Sequence, residues 1–228
     1  MSASDHFNPL DKKNLGISVA QALLSREPLA LSKLKEFPGA GIYALYYSGA
    51  FPPYARLVSE NKSNRFRMPI YVGKAENKKR KGGSSGATKS LVLYRRLTEH
   101  GESIRQAKST LKTSDFHCRY LVVDDIWVPL GENLLITKFS PVWNTLIDGF
   151  GNHDPGSGRY EGMRPRWDVL HPGRPWAERC QPRRESAAQV ANDVEEYLRA
   201  IPSAPPRFYA GEPGVEYDLG AADGSEER

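Results

Sequence analysis

The sequence predicts an α/β fold: a small central sheet of three strands flanked by helices, with an extension at each end. Three observations carry this. Two strand-like runs, "GIYALYY" (residues 41–47) and "PIYVGKA" (residues 69–75), share an apolar-Ile-Tyr core. A third, "DFHCRYLVVDD", sets Phe116, Cys118, Tyr120 and Val122 against His117, Arg119, Leu121 and Val123, a strand covered on both faces. Between and around these runs lie stretches with the 3.6-residue period of amphipathic helices.

In chain order, "NLGISVAQALLSR" (residues 14–26) reads as a helix capped by Asn14 and ended by Pro28. Pro38 and Gly39 turn the chain into the first strand. Residues 52–68 read as a polar connection with a proline pair and the basic "NRFRM". After the second strand, residues 76–90, "ENKKRKGGSSGATKS", form a basic, glycine-rich loop inserted in the core. From Leu91 the pattern is helical, and Leu93, Leu97 and Ile104 make one narrow apolar stripe. "GENLLITKF" is a short helix stopped by Pro141; residues 145–184 are irregular and rich in Gly, Pro, Arg and Trp. A last amphipathic helix, "SAAQVANDVEEYLRA", aligns Val190, Val194, Tyr197 and Leu198, and the tail from Ile201 is acidic and expected to be loosely ordered. The expected organisation is a helical extension (1–37), a core (38–148), an Arg/Trp-rich extension with a terminal helix (149–200) and an acidic tail (201–228).

No run is long and apolar enough for a membrane helix, and the polar first residues do not resemble a signal peptide. Cys118 and Cys180 stand apart, outside metal-ligand spacing, which fits a reduced cytosolic protein. The net charge of +5 hides an asymmetry. Residues 185–228 hold ten acidic and three basic side chains, leaving 29 basic against 17 acidic in residues 1–184. That surplus of +12 favours polyanions, nucleic acid above all.

Four features stand out from packing. Arg96 and His100 are one helical turn apart at the border of the apolar stripe, while Arg95 points to solvent. Glu132 lies between Ile136 and Phe139 on its wheel, where a carboxylate needs a cation or donors. Tyr43 and Tyr71 occupy matching places in two strands, and Lys74 follows Gly73 directly. Each is also compatible with ordinary packing or surface exposure; their order along the chain is the stronger signal.

That order resembles the GIY-YIG nuclease superfamily. "GIY" at 41–43 and "YVG" at 71–73 (with Val for Ile) stand where its name-giving elements belong. "LYRRLTEH" is similar to its arginine helix, and "GENLLITKFSPVWN" to its metal-binding Glu followed by a late Asn. The fuller set, with "RWDVLHPGRPWA" (residues 166–177), resembles the type II restriction endonucleases that cut CCGCGG.

The resemblance implies a mainly antiparallel sheet with both tyrosine hydroxyls in the active site. It implies a catalytic group of Tyr43, Tyr71, Arg96, His100, Glu132 and Asn144, with Lys74 beside it. Glu132 would hold one Mg²⁺, for which Mn²⁺ is a substitute; Arg96 would grip a phosphate oxygen, helped by Tyr71 and Asn144. The general base stays open among Tyr43, His100 and Lys74, since a tyrosine near pKa 10 needs roughly 4 kcal/mol of help to fall about three units. Lys78, Lys79, Arg80 and Lys81 are expected to clamp DNA phosphates, and Arg159, Arg164, Arg166, Arg174 and Arg179 to contact double-stranded DNA, with Trp167 and Trp176 interleaved. A palindromic target implies a homodimer, a bacterial cytoplasmic setting and a protecting methyltransferase. A repair-type incision nuclease and a non-catalytic DNA-binding module are the competing readings.

Overall fold

The computed structural model describes residues 8–63, 65–77, 90–154, 156 and 160–202. Lys78, Lys79, Arg80, Lys81, Arg159 and the acidic tail from residue 203 lie outside the described residues. The elements run α1 (Lys12–Leu24), β1 (Leu29–Ala30), β2 (Gly41–Tyr47), α2 (Ala55–Asn61), β3 (Tyr71–Ala75), α3 (Val92–Gln106), β4 (Phe116–Val122), α4 (Val128–Phe139), α5 (Val142–Thr145), α6 (Arg166–Leu170), α7 (Pro175–Glu178) and α8 (Ala187–Ala200). No described helix is long and apolar enough to cross a membrane.

The sheet has four antiparallel strands in the order β1-β4-β2-β3, not three. The fourth, β1, is only two residues long and follows Pro28, so it carries no period to read. It pairs Leu29 with Cys118 and Ala30 with His117, so the N-terminal segment contributes an edge of the sheet. The first helix also begins earlier than expected: Asp11 is its N-cap, and the Asn14 side chain instead donates to the Asn8 carbonyl at 2.5 Å.

All seven residues of β2 are buried, because helices cover both faces. Ile42, Ala44 and Tyr46 join Val72 and Leu121 under α1 and α4. Tyr43, Leu45 and Tyr47 join Phe116 and Cys118 under α3, α5, α6 and α8. This is the period-2 alternation of a strand buried on two sides. Close backbone approach explains the glycines of both strand motifs. A Cβ on Gly41 would stand 1.9 Å from the Leu121 carbonyl oxygen, and one on Gly73 would stand 2.4 Å from the Tyr43 hydroxyl.

Residues 52–68 are more ordered than a polar connection. A 3-10 turn at Pro52–Tyr54 leads into α2, and the Asn61 amide bridges the Tyr47 and Met68 main chains at 2.9–3.0 Å. Tyr54 is the hub beneath: its hydroxyl meets His171 Nε2 at 2.6 Å and accepts from Trp143 Nε1 at 2.8 Å, while His171 Nδ1 meets Thr110 Oγ1 at 2.8 Å. The helix α8 carries the expected face, with Val190, Val194 and Leu198 buried, and opens on a Ser186/Gln189 capping box.

The region 145–184 is organised by arginines. Arg174 is 1% exposed, lies over the rings of Trp167 (4.5 Å) and Trp176 (4.7 Å), and forms a fork with the Asp168 carboxylate. It also donates to the carbonyls of Gly149, Phe150 and Asn152. Arg166 pairs with Asp193 and Glu185 and donates to the Leu146 carbonyl. Arg183 joins Asp148 and Glu185. The expectation that Arg174 and Arg166 contact DNA is therefore revised: both guanidiniums are committed to internal partners. Cys118 and Cys180 are buried free thiols.

These buried groups set two expectations for stability. Removing one partner of an enclosed ion pair leaves the other charge unmatched, so Asp168→Ala should lower unfolding free energy by about 3–5 kcal/mol in a urea titration. Burial pulls His171 from its ordinary range down to about 3. The unfolded imidazole takes up its proton first as pH falls, so this contribution is intact above about pH 6.5 and declines below it. The slope is on the order of 1.4 kcal/mol per pH unit, and His171→Asn should flatten the urea-measured profile between about pH 6 and pH 4.

Candidate active site

The two tyrosines share one face of the sheet. In the β2–β3 register Tyr43 stands opposite Gly73 and Leu45 opposite Tyr71, making the tyrosines diagonal neighbours with ring centroids 6.2 Å apart. Gly73, having no side chain, leaves the space the Tyr43 hydroxyl occupies. From α3, the buried His100 brings Nε2 to 2.6 Å from that hydroxyl. Arg96, one turn earlier, flanks both tyrosines, and its charge partly offsets the penalty that burial places on either phenolate. Arg95 is exposed, as its wheel position predicts.

The electrostatics of the free protein hold these groups neutral. Burial pushes Tyr43 well above the ordinary tyrosine range, the neighbouring Tyr71 adds to the rise, and Arg96 opposes it only in part. Burial raises Tyr71 as well. His100 is held well below the ordinary imidazole range by burial and then by the Arg96 charge. With both groups neutral and His100 assigned the Nδ1–H tautomer, Nε2 accepts from the Tyr43 hydroxyl. A pre-formed phenolate, the simplest form of tyrosine activation, is not built into this pocket.

Glu132 approaches from the opposite face. It stands on α4, its side chain is 15% exposed, and it meets Lys74 Nζ at 3.2 Å. Lys74 pairs with Ile42 across the strands and so points away from the tyrosines; Glu76 lies 3.8 Å from its ammonium. Burial raises the Glu132 carboxyl above its usual range, with Lys74 pulling the other way. Its charge is nevertheless felt by both tyrosines. The site thus wraps around edge strand β3, with α3 on one side and α4 on the other.

The donor set suits a hard divalent cation held by few protein atoms. Among the described residues no three His, Cys, Asp or Glu side chains cluster as a complete metal cage. A single, largely desolvated carboxylate suffices for a hard divalent cation when water and phosphate complete its shell.

Asn144, expected at the phosphate, is held on the main chain of β3. Its Oδ1 accepts from Val72 N and its Nδ2 donates to Val72 O, both at 2.8 Å. These two bonds fix β3 at Val72, between the two tyrosine-face positions, and leave one Nδ2 hydrogen of the amide.

Three residues of the site carried no readable signal. Phe150 stacks on His100, with centroids 4.5 Å apart at 15°. The Gly151 carbonyl accepts from Arg96 Nη2 at 2.8 Å, and His153 Nε2 lies 2.6 Å from Arg96 Nη1. All three sit in a Gly-rich irregular stretch whose placement depends on Arg174. Beside them a cleft of about 410 Å³ is lined by Arg96, His100, Phe150, Gly151, His153 and Trp176, among others. It adjoins the tyrosines without including them.

Of the expected DNA-contacting arginines, Arg179 is exposed, pairs with Asp154 at 3.0 Å and lies over the Tyr160 ring at 4.2 Å. Arg164 is half-buried and donates to the Ala177 and Glu178 carbonyls at the end of α7. Trp167 is core, so of the two expected tryptophans only Trp176 reaches the cleft.

A search of curated proteins found no match to this chain. The family model described as the Eco29kI GIY-YIG domain matches residues 35–198, taking in the sheet strands β2–β4, α3, α4 and nearly all of the C-terminal extension. The match spans every residue of the tyrosine, arginine, histidine and glutamate constellation, and the chain belongs to this family of type II restriction endonucleases.

Proposed function

We propose that the protein is a site-specific endonuclease that hydrolyses phosphodiester bonds in double-stranded DNA at CCGCGG, using one divalent cation. The observation that carries this reading is the convergence of Tyr43, Tyr71, Arg96 and His100 on one face of β3, with Glu132 and Lys74 on the other, inside the matched family region. Nucleases with this domain generally use divalent metal ions. A nuclease domain implies a DNA substrate, and the +12 surplus in residues 1–184 suits one.

Glu132 would hold Mg²⁺, with Mn²⁺ as a substitute. Lys74 must release the carboxylate for this, and Glu76 offers it a second anionic partner. When bound, the cation supplies Lewis-acid stabilisation to the phosphate and the leaving 3′-oxygen.

The protein's own groups divide the remaining work. Arg96 presents guanidinium N–H donors to a non-bridging oxygen, a charge-assisted contact that strengthens as negative charge develops. The Tyr71 hydroxyl donates to the same phosphate. For the water, the short Tyr43–His100 hydrogen bond favours a relay: Tyr43 takes a proton from water as its own moves to His100 Nε2. Such a relay avoids a free phenolate, which burial makes costly here. The imidazolium it forms is offset by the arriving phosphodiester charge. Lys74 faces the other way and is engaged by Glu132, which disfavours it as the base.

Sequence reading falls to the exposed Arg179 and to Arg164, while Lys78, Lys79, Arg80, Lys81 and Arg159, which lie outside the described residues, would supply phosphate and further DNA contacts. A palindromic target calls for a homodimer with one site per strand and a methyltransferase that protects host DNA.

The test uses purified protein, Mg²⁺ and plasmids with or without CCGCGG, beside a Glu132→Gln variant. Discrete fragments are expected only from plasmids with the site, and the variant should lose at least about a hundredfold in rate, since several kcal/mol of charge stabilisation depend on the carboxylate. Unchanged circular dichroism would establish that the variant is folded. Cutting at other fixed sites would discard the target; nicking without preference would favour a repair-type enzyme. Parental activity in Glu132→Gln would remove Glu132 from the mechanism.

A further inference from the structure

We infer that His153 is a positioning residue for the reaction, resting on the nuclease reading above: it fixes the orientation of the Arg96 guanidinium before DNA arrives. Arginine has only donors, so the 2.6 Å contact between Arg96 Nη1 and His153 Nε2 requires an unprotonated Nε2. That contact assigns the ring proton to Nδ1, with the same Nε2 standing 3.6 Å from Glu99 Oε2. The second terminal nitrogen, Nη2, donates to the Gly151 carbonyl at 2.8 Å. Of the five N–H donors on Arg96 these contacts use two and the 3.5 Å contact of Nη1 to Glu99 engages a third, leaving two for the tyrosine oxygens and a phosphate.

Both acceptors come from one short stretch of chain. Arg174 holds the carbonyls of Gly149, Phe150 and Asn152, while the intervening Gly151 carbonyl turns to Arg96. Gly151 is needed there, because a Cβ would stand 2.9 Å from both Arg96 Nη2 and the Tyr71 hydroxyl. The Gly151 carbonyl is thus set by a buried brace, and the His153 side chain, 62% exposed, closes on Nη1 from the residue that follows the braced segment.

A neutral acceptor suits this position. Glu99, on the same helix as Arg96, lies 3.5 Å from Nη1 and 3.6 Å from His153 Nε2; both side chains are solvent-exposed, and it is distance that makes the 2.6 Å His153 contact the stronger one. A close carboxylate would orient the guanidinium and also neutralise the charge that the phosphate needs. An imidazole orients it and leaves that charge intact.

The experiment compares His153→Ala, His153→Gln and His153→Glu with the parent, in single-turnover cleavage at saturating CCGCGG DNA and in DNA binding without metal. His153→Ala should cut roughly tenfold to a hundredfold more slowly, the range for a displaced catalytic group, with its Kd for DNA and its Tm near parental values. His153→Gln, which keeps a neutral acceptor, should recover most of the rate, and His153→Glu should not. A parental rate in His153→Ala, no advantage of Gln over Ala, or a loss confined to Kd would overturn the inference. Imidazole ¹⁵N NMR gives an arm independent of activity. The parent should show His153 as the Nδ1–H tautomer and Arg96→Lys a mixture of tautomers; an Nε2–H or charged ring in the parent at neutral pH would refute the contact. Failure of the parent to cut any DNA would instead remove the nuclease reading, while the NMR arm still decides the Arg96–His153 bond.

Discussion

Strand β2 has no face turned to water, and the rest of the structure follows from that constraint. Every side chain on it belongs to one of two apolar layers, so a polar atom it carries is costly unless another element supplies a partner. Tyr43 finds His100 on α3, and Tyr47 accepts from the Phe51 amide. Tyr46 is the exception: its ring lies under the Arg119 guanidinium at 4.9 Å, but its buried hydroxyl has no hydrogen-bond partner among the described residues. The same low-water setting that obliges the Tyr43–His100 contact also holds both groups neutral. Chemistry therefore has to arise from charge that arrives with the substrate and from proton movement along an existing hydrogen bond.

Two devices carry that setting outward. The Asn144 amide locks Val72, holding β3 at a fixed distance from β2 at the edge where α3 and α4 approach from opposite faces. Arg174, closed between Trp167 and Trp176 and matched by Asp168, gathers three carbonyls of the segment that bears Phe150 and Gly151. A buried arginine can do this because its planar fork satisfies several acceptors at once and stacks on aromatic faces. The C-terminal extension is consequently part of the active-site wall, ordering His100 and Arg96 from behind.

Much of the site was legible because its residues break local rules. Arg96 and His100 at the margin of an apolar stripe, and Glu132 on the inner side of α4, are polar groups where packing alone would place none. The helices α3, α4 and α8 were legible from period. What misled was composition: the arginines of residues 159–184 read as a DNA surface, yet Arg166, Arg174 and Arg183 close internal ion pairs. Counting charges along a chain cannot separate a solvated cation from one whose carboxylate lies elsewhere in the fold. The strand β1 and the N-cap at Asp11 were missed for a related reason, since a two-residue strand exists only through its pairing with β4.

The sequence by itself determined the α/β class, the two tyrosine strands, the amphipathic helices and the order of the residues that define the family. These are set by local periodicity and by the residue types at a few fixed spacings, which need no partner to be read. Only the tertiary structure decided which face each polar group serves. It put Lys74 with Glu132 across β3 from the tyrosines, turned Asn144 onto the backbone, and brought Gly151 and His153 to Arg96. Those contacts join residues 55 to 72 positions apart or cross a sheet, and their energy depends on burial and mutual orientation. Neither quantity exists until the chain has closed around its core.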